Sequence, residues 1–233
     1  MMGCVMIEPN DDQGTIVRWD DHIVPILEHP DIHIRDKALL AVAWESHARL
    51  SELQRLTFGD VEDRGDHIAI LLTQRNGRER LLTLYGSMPY FKRWVQAEHS
   101  VTELLVSNAD PLEEAPPETP IWTHLGANKR IHSTLLNEIT NRACELADVP
   151  TKFTMHDIRR SRAILLAVQL GLRTSALQER FGFGPQKQEA FVKTFEIDGS
   201  HEDDGPGSPI KCPDCGAWVP QHQPCLWCGA DHE

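Results

Sequence analysis

The sequence predicts an α+β fold, mainly α, with one small antiparallel sheet and a compact cysteine module at its C-terminal end. Three observations carry this. Most apolar residues recur at helical spacing, as in Leu39, Leu40, Val42 and Ala43. Only one pair of β-prone runs stands out, Ile68–Thr73 and residues 81–84, and the Asn76-Gly77 between them is a strong hairpin signal. Four of the six cysteines fall in the last 22 residues, as Cys212-x-x-Cys215 and Cys225-x-x-Cys228.

Taken in order, residues 8–12 read as an irregular entry and 16–27 as a short helix. A buried helix is expected over 36–48, delivering Arg49 near its end. The hairpin follows, and Ser87 is placed to cap a helix reaching about residue 98. Residues 110–120 hold four prolines and several acids and read as a surface loop. Helical spacing returns over 135–147, 156–170, 174–180 and 186–194. Residues 198–209 are mainly Gly, Pro, Ser and acid, with no period, and read as a linker. The divisions expected are an N-terminal extension over 1–33, a main domain over 34–197, the linker over 198–210 and the cysteine module over 211–233.

No apolar run reaches the roughly 18 to 20 residues that cross a bilayer, so a cytoplasmic protein without membrane attachment is expected. Lys plus Arg number 23 against 35 Asp plus Glu, a net charge of -12, which opposes the simple picture of a basic nucleic-acid binder. The basic residues are clustered, however: Arg75, Arg78 and Arg80 in the hairpin, and Arg159, Arg160 and Arg162 on one helix. Arg outnumbers Lys 16 to 7, which with the acidity suits a salty cytosol.

Ala48-Arg49-Leu50-Ser51-Glu52-Leu53, His156-Asp157-Ile158-Arg159, Phe181-Gly182-Phe183 and Ala190-Phe191-Val192 stand in an order and at separations that resemble the catalytic domain of the tyrosine recombinases, the phage integrase family, especially integrases of halophilic archaea. The resemblance spans residues 36–194. It implies a tyrosine-recombinase catalytic fold acting on double-stranded DNA with other recombinase subunits, in DNA integration and recombination by a mobile genetic element. It implies no small-molecule cofactor. Arg49 and Arg159 would grip a phosphodiester as two planar forks, with His156 as a proton-transferring or hydrogen-bonding partner. DNA contacts are expected from Arg49, Arg75, Arg78, Arg159, Arg160 and Arg162. The separate core-binding domain of the family is expected to be absent or vestigial, since 35 residues precede Asp36.

Three departures bear on catalysis. Arg75 aligns with the family's hairpin lysine, and arginine holds its proton too tightly to act as a general acid near neutral pH. Phe183 stands where His or Trp is usual and donates no hydrogen bond. Phe191 stands where the nucleophilic tyrosine is expected, and the chain's two tyrosines, Tyr85 and Tyr90, both lie far upstream. The expectation is therefore a pseudoenzyme deficient in strand cleavage. The alternatives are an active recombinase using another nucleophile, such as Thr194, or a tyrosine supplied in trans, and an adaptor that binds protein through its cysteine module.

That module, with Gly216 and Gly229 after its knuckles, resembles a zinc ribbon. Cys212, Cys215, Cys225 and Cys228 would close a tetrahedral structural Zn2+ site with no open position. An iron-sulfur site or a redox dithiol is the alternative.

Overall fold

The computed structural model describes residues 16–105, 109–169, 181, 205–221 and 223–231. The expected helices at 174–180 and 186–194, and with them Phe183 and Phe191, lie outside these residues. Helix α2 (Ile34–Ser46) is the centre of the body. From Ala38 to Trp44 it is apolar around its whole circumference, and these side chains are at most 3% exposed. A helix with no polar stripe has to be enclosed. Three further helices supply the enclosure: α4 (Met88–Arg93), α6 (Ser133–Leu146) and α7 (Met155–Gln169).

Strands β1 (Val61–Asp63), β2 (Ile68–Thr73) and β3 (Glu79–Leu84) form an antiparallel sheet in the order β1-β2-β3. The β2–β3 register pairs Thr73 with Glu79 and Ile68 with Leu84, leaving Gln74 to Arg78 as the turn. Gly77 takes φ +78, a conformation that favours glycine. Strand β1 has too short a run to show a period, and it was not foreseen from the sequence.

The carboxylate of Glu45, on α2, accepts hydrogen bonds from the N–H groups of Tyr85, Gly86 and Ser87 and from the Ser87 hydroxyl, at 2.6–3.2 Å. Ser87 therefore does not cap α4 as its position suggested: its oxygen donates to a stronger, charged acceptor. Helix α4 continues as a wider π turn, Trp94–Glu98. The expected loop at 110–120 holds a one-turn helix, α5 (Pro111–Glu114), whose first turn is capped by Asp110.

Residues 16–27, expected as one helix, split into a π turn (Trp19–Ile23) and α1 (Val24–Glu28). Val17, Trp19, Ile23, Ile26, Leu27 and Ile32, from the stretch set apart as an extension, belong to the same core as α2. The Val17 N–H donates to the buried Ser161 hydroxyl at 2.7 Å, joining the start of the described chain to α7.

Candidate functional site

Helix α2 ends at His47, which takes the left-handed conformation (φ 52, ψ 30) and returns its N–H to Ala43. That reversal sends the chain through Ala48 to Arg49, an extended residue at the start of α3 (Leu50–Arg55). Glu52, one turn on, accepts the Arg49 N–H at 2.6 Å and the Arg49 Nη1 at 3.1 Å. The same carboxylate takes Nη2 of Arg80, on β3, at 2.7 Å. The side chain of Glu52 is 0% exposed and that of Arg80 8%, whereas that of Arg49 is 37% exposed. A fully buried carboxylate thus holds two guanidiniums from two elements, and one of them opens to solvent.

Arg159 comes to the same place from α7. It is buried, and its guanidinium donates to the backbone carbonyls of His47 and Phe181. The Phe181 ring lies 5.5 Å from Arg159 Cζ and 4.8 Å from the His47 ring. Burial, and then the neighbouring Arg49 and Arg80 charges, draw Arg159 down to about 9, with Glu52 opposing. Arg80 is lowered too, first by burial, while Glu52 raises it and Arg49 lowers it. Arginine keeps its proton in proteins. The lowered values express burial and the closeness of like charges: among the described residues Arg49, Arg80 and Arg159 gather around Glu52, a setting suited to an anion.

The other residues singled out from the sequence are spread around this cluster. Arg75 and Arg78 are exposed at the hairpin turn. His156 is exposed on the first turn of α7, which is fixed by reciprocal bonds between Thr154 and Asp157: the Asp157 carboxylate accepts the Thr154 N–H at 2.9 Å, and the Thr154 hydroxyl accepts the Asp157 N–H at 3.3 Å. Arg160 Nη2 lies 3.9 Å from Asp157. Arg162 is 6% exposed, with Cζ 4.9 Å from the Trp44 ring, so its guanidinium faces inward. Glu52 and Arg80 were not named as site residues. A signal for Arg80 existed, since strand alternation puts it on one face with Leu82 and Leu84, the inward one.

The phage integrase family matches over residues 20–186, well over half of the chain. The chain belongs to the phage integrase family. Solved structures show the same fold at low identity. A XerA recombinase has a TM-score of 0.58 at 14% identity, covering 78% of this chain and 60% of that one. A XerH site-specific recombinase bound to difH substrate, in a pre-cleavage complex, has 0.57 at 16%, covering 79% and 49%. A lambda integrase(75-356) dimer bound to a COC′ core site has 0.53 at 12%, covering 81% and 61%. The chain thus spans about half to three fifths of the length of these integrase-family structures. No curated protein matches the sequence closely. No described helix is long and apolar enough to cross a membrane.

This integrase-family chain also carries a cluster that the resemblance to recombinases does not explain. The Sγ atoms of Cys212, Cys215, Cys225 and Cys228 all lie within 4.8 Å of one another, with Cys212 to Cys228 at 3.7 Å and Cys215 to Cys225 at 3.6 Å. A tetrahedron with metal–sulfur bonds of about 2.3 Å has edges of about 3.8 Å, so the cluster fits a four-thiolate metal site. Its two halves repeat one design. Gly216 N–H bonds the Cys212 carbonyl and Gly229 N–H bonds the Cys225 carbonyl, both at 2.9 Å, with φ of +75 and +74 at the two glycines. Burial tends to raise the Cys225 thiol, but the N–H groups of Cys228 and Trp227 outweigh it and bring it down to about 7. Two short strands, β4 (Ile210–Lys211) and β5 (Trp218–Val219), pair antiparallel beside the first knuckle.

Proposed function

We propose that this chain binds double-stranded DNA inside the cell as an integrase-family protein that retains the phosphate grip and has lost strand cleavage. The observation that carries the reading is the Arg49, Arg80 and Arg159 group around Glu52. A carboxylate and two backbone carbonyls hold these guanidiniums in place before any ligand arrives, so a phosphodiester meets preorganised donors and relieves their mutual repulsion. Arg49 is the contact open to solvent. Arg75 and Arg78 extend the positive surface along the hairpin, and His156 supplies a further donor from the exposed turn of α7.

The loss of cleavage rests on the sequence. Phe191 keeps a ring and lacks the oxygen that would attack phosphorus. Tyr90 offers no replacement, because it is 1% exposed, its hydroxyl donates to Gln223 at 2.7 Å, and burial raises its pKa, making the phenol harder to ionise. The other tyrosine, Tyr85, rests its ring against His67 at 5.2 Å. Arg75, in the position of the family lysine, is a poor proton donor to a leaving oxygen. The four thiolates are assigned to structural zinc, because paired knuckles close the coordination sphere and leave no site for water or substrate. The acidic excess and the preference for Arg over Lys accord with a salty cytosol, where local arginine density matters more as counterion release weakens.

A nicked duplex that traps covalent intermediates tests the reading. Binding without a protein–DNA adduct is the expected outcome, and an adduct on any residue of this chain overturns it. Absence of duplex binding at low salt rejects the retained grip.

A further inference from the structure

We propose that the four-cysteine module is a metal-dependent clasp that holds the C-terminal end of the chain against α4. The proposal rests on the metal reading above and adds a consequence to it. The module has little core of its own: Cys212, Val219, Pro220 and Cys225 are its buried residues among those described, with Ala230 packed on the cluster of Cys212, Val219 and Cys225. Two of those four are the proposed ligands. A unit of this kind folds through its metal.

Trp218, on β5, and Leu226 pack against the core of the body, and the polar contacts between module and body lie within or beside the second knuckle. Arg93, on α4, donates Nε to the Leu226 carbonyl at 2.8 Å and lies 5.2 Å over the Trp227 ring. Leu226 and Trp227 are the two residues between Cys225 and Cys228, so the ion that fixes those thiolates also fixes the carbonyl and the ring that Arg93 reads. Arg93 is itself positioned by Glu98, 3.0 Å from Nη2. Tyr90 bonds Gln223, two residues before Cys225. Pro206 packs on Gly86 so closely that a Cβ there would lie 2.2 Å from the Pro206 Cβ.

The interface is incompletely filled. A cleft of about 350 Å3 lies between Trp19, Val24 and Tyr90 on the body, Pro206 in the segment before the module, and Pro220 and Gln221 on the module. Docking therefore depends on the few named contacts, and loss of the knuckle geometry removes several at once. Because linkage is reciprocal, docking must strengthen metal binding by the factor by which metal strengthens docking.

The test uses the full chain loaded with Zn2+ and titrated with a chromophoric chelator, alongside hydrogen exchange over residues 85–93 with and without zinc. Arg93→Ala is expected to weaken zinc binding about fivefold or more, and Gly86→Ala to act in the same direction by displacing Pro206. Zinc removal is expected to speed exchange at 85–93 and leave α2 unchanged. Zinc bound at one per chain, with equal affinity in the wild type and both variants and with unchanged exchange at 85–93, overturns the clasp while the metal reading stands. No bound zinc in the wild type instead overturns the metal reading and the clasp with it. If neither variant folds, the exchange comparison on the wild type decides.

Discussion

The arginine cluster and the cysteine cluster are both sites where like groups crowd together, and they are held in opposite ways. Around Glu52 the fold makes the site: three helices and a hairpin converge, and backbone carbonyls of His47 and Phe181 fix Arg159 with no ligand present. In the cysteine module, on the metal reading proposed above, the site would make the fold, since Cys212 and Cys225 are half of the buried residues described there. A functional group can thus be preorganised by burying protein around it, or be the reason that the protein is ordered at all. The two cases respond differently to perturbation.

The largest effect expected is on the module. Cys225→Ser, or exhaustive chelation, should abolish its order, because metal binding in small zinc domains supplies on the order of 10 kcal/mol. Calorimetry should still show the main unfolding transition of the body near its original temperature. A collapse of that transition would mean the two regions form one cooperative unit and would end the contrast.

Glu52→Ala comes next. Removing a buried carboxylate that holds two guanidiniums leaves uncompensated charge, and about 3–5 kcal/mol should be lost in denaturant unfolding. Addition of a short duplex should recover part of this, because its phosphates replace the missing anion. A loss below about 1 kcal/mol would show that water already compensates these arginines.

Acid separates the regions by a third route. His99 is fully buried between Phe58 and Trp94; its Nε2 donates to the Pro120 carbonyl, and its Nδ1 accepts the Val101 N–H. Burial lowers it to about 4, the bonds to the Pro120 and Ile121 backbone opposing. A histidine held neutral contributes stability that is complete above about pH 6.5 and is lost as pH falls toward 4. About 3 kcal/mol should disappear from the body across that window. Unfolding measured from pH 7 to pH 4 checks this, and His99→Asn should flatten the dependence.

Much of this contrast was legible in the sequence, for identifiable reasons. The Cys-x-x-Cys pairs are local, and local spacing is what sequence displays. Helix α2 announced itself by composition, and the hairpin by Asn76-Gly77. Arg49 and Arg159 came from resemblance, and the structure does bring them to one place. Glu52 escaped notice because its meaning lies in Arg80, 28 residues away, and a pairing across that separation leaves no periodic trace. The same holds for Val17 and Ser161, 144 residues apart, which tie the N-terminal stretch into the core. Arg162 shows the converse: its neighbours in sequence suggest a DNA contact, and only its stacking on Trp44 reveals a packing role.

The smallest effect on stability is expected at the hairpin tip, and it sharpens the contrast within the arginines themselves. Arg75 and Arg78 are exposed. Substituting either by Ala should change unfolding free energy by less than about 0.5 kcal/mol. Each contact to phosphate should still contribute about one unit to the slope of log affinity against log salt, because each releases counterions. Arg159→Lys should behave in the reverse manner: an ammonium cannot reach two carbonyls and a phosphate as the planar fork does, so stability and affinity fall together. Duplex titrations at several salt concentrations, set beside denaturant unfolding of the same variants, separate the two kinds of arginine. If Arg75→Ala lowers stability as much as Arg159→Lys, the hairpin is part of the buried framework and its arginines are not free to track DNA.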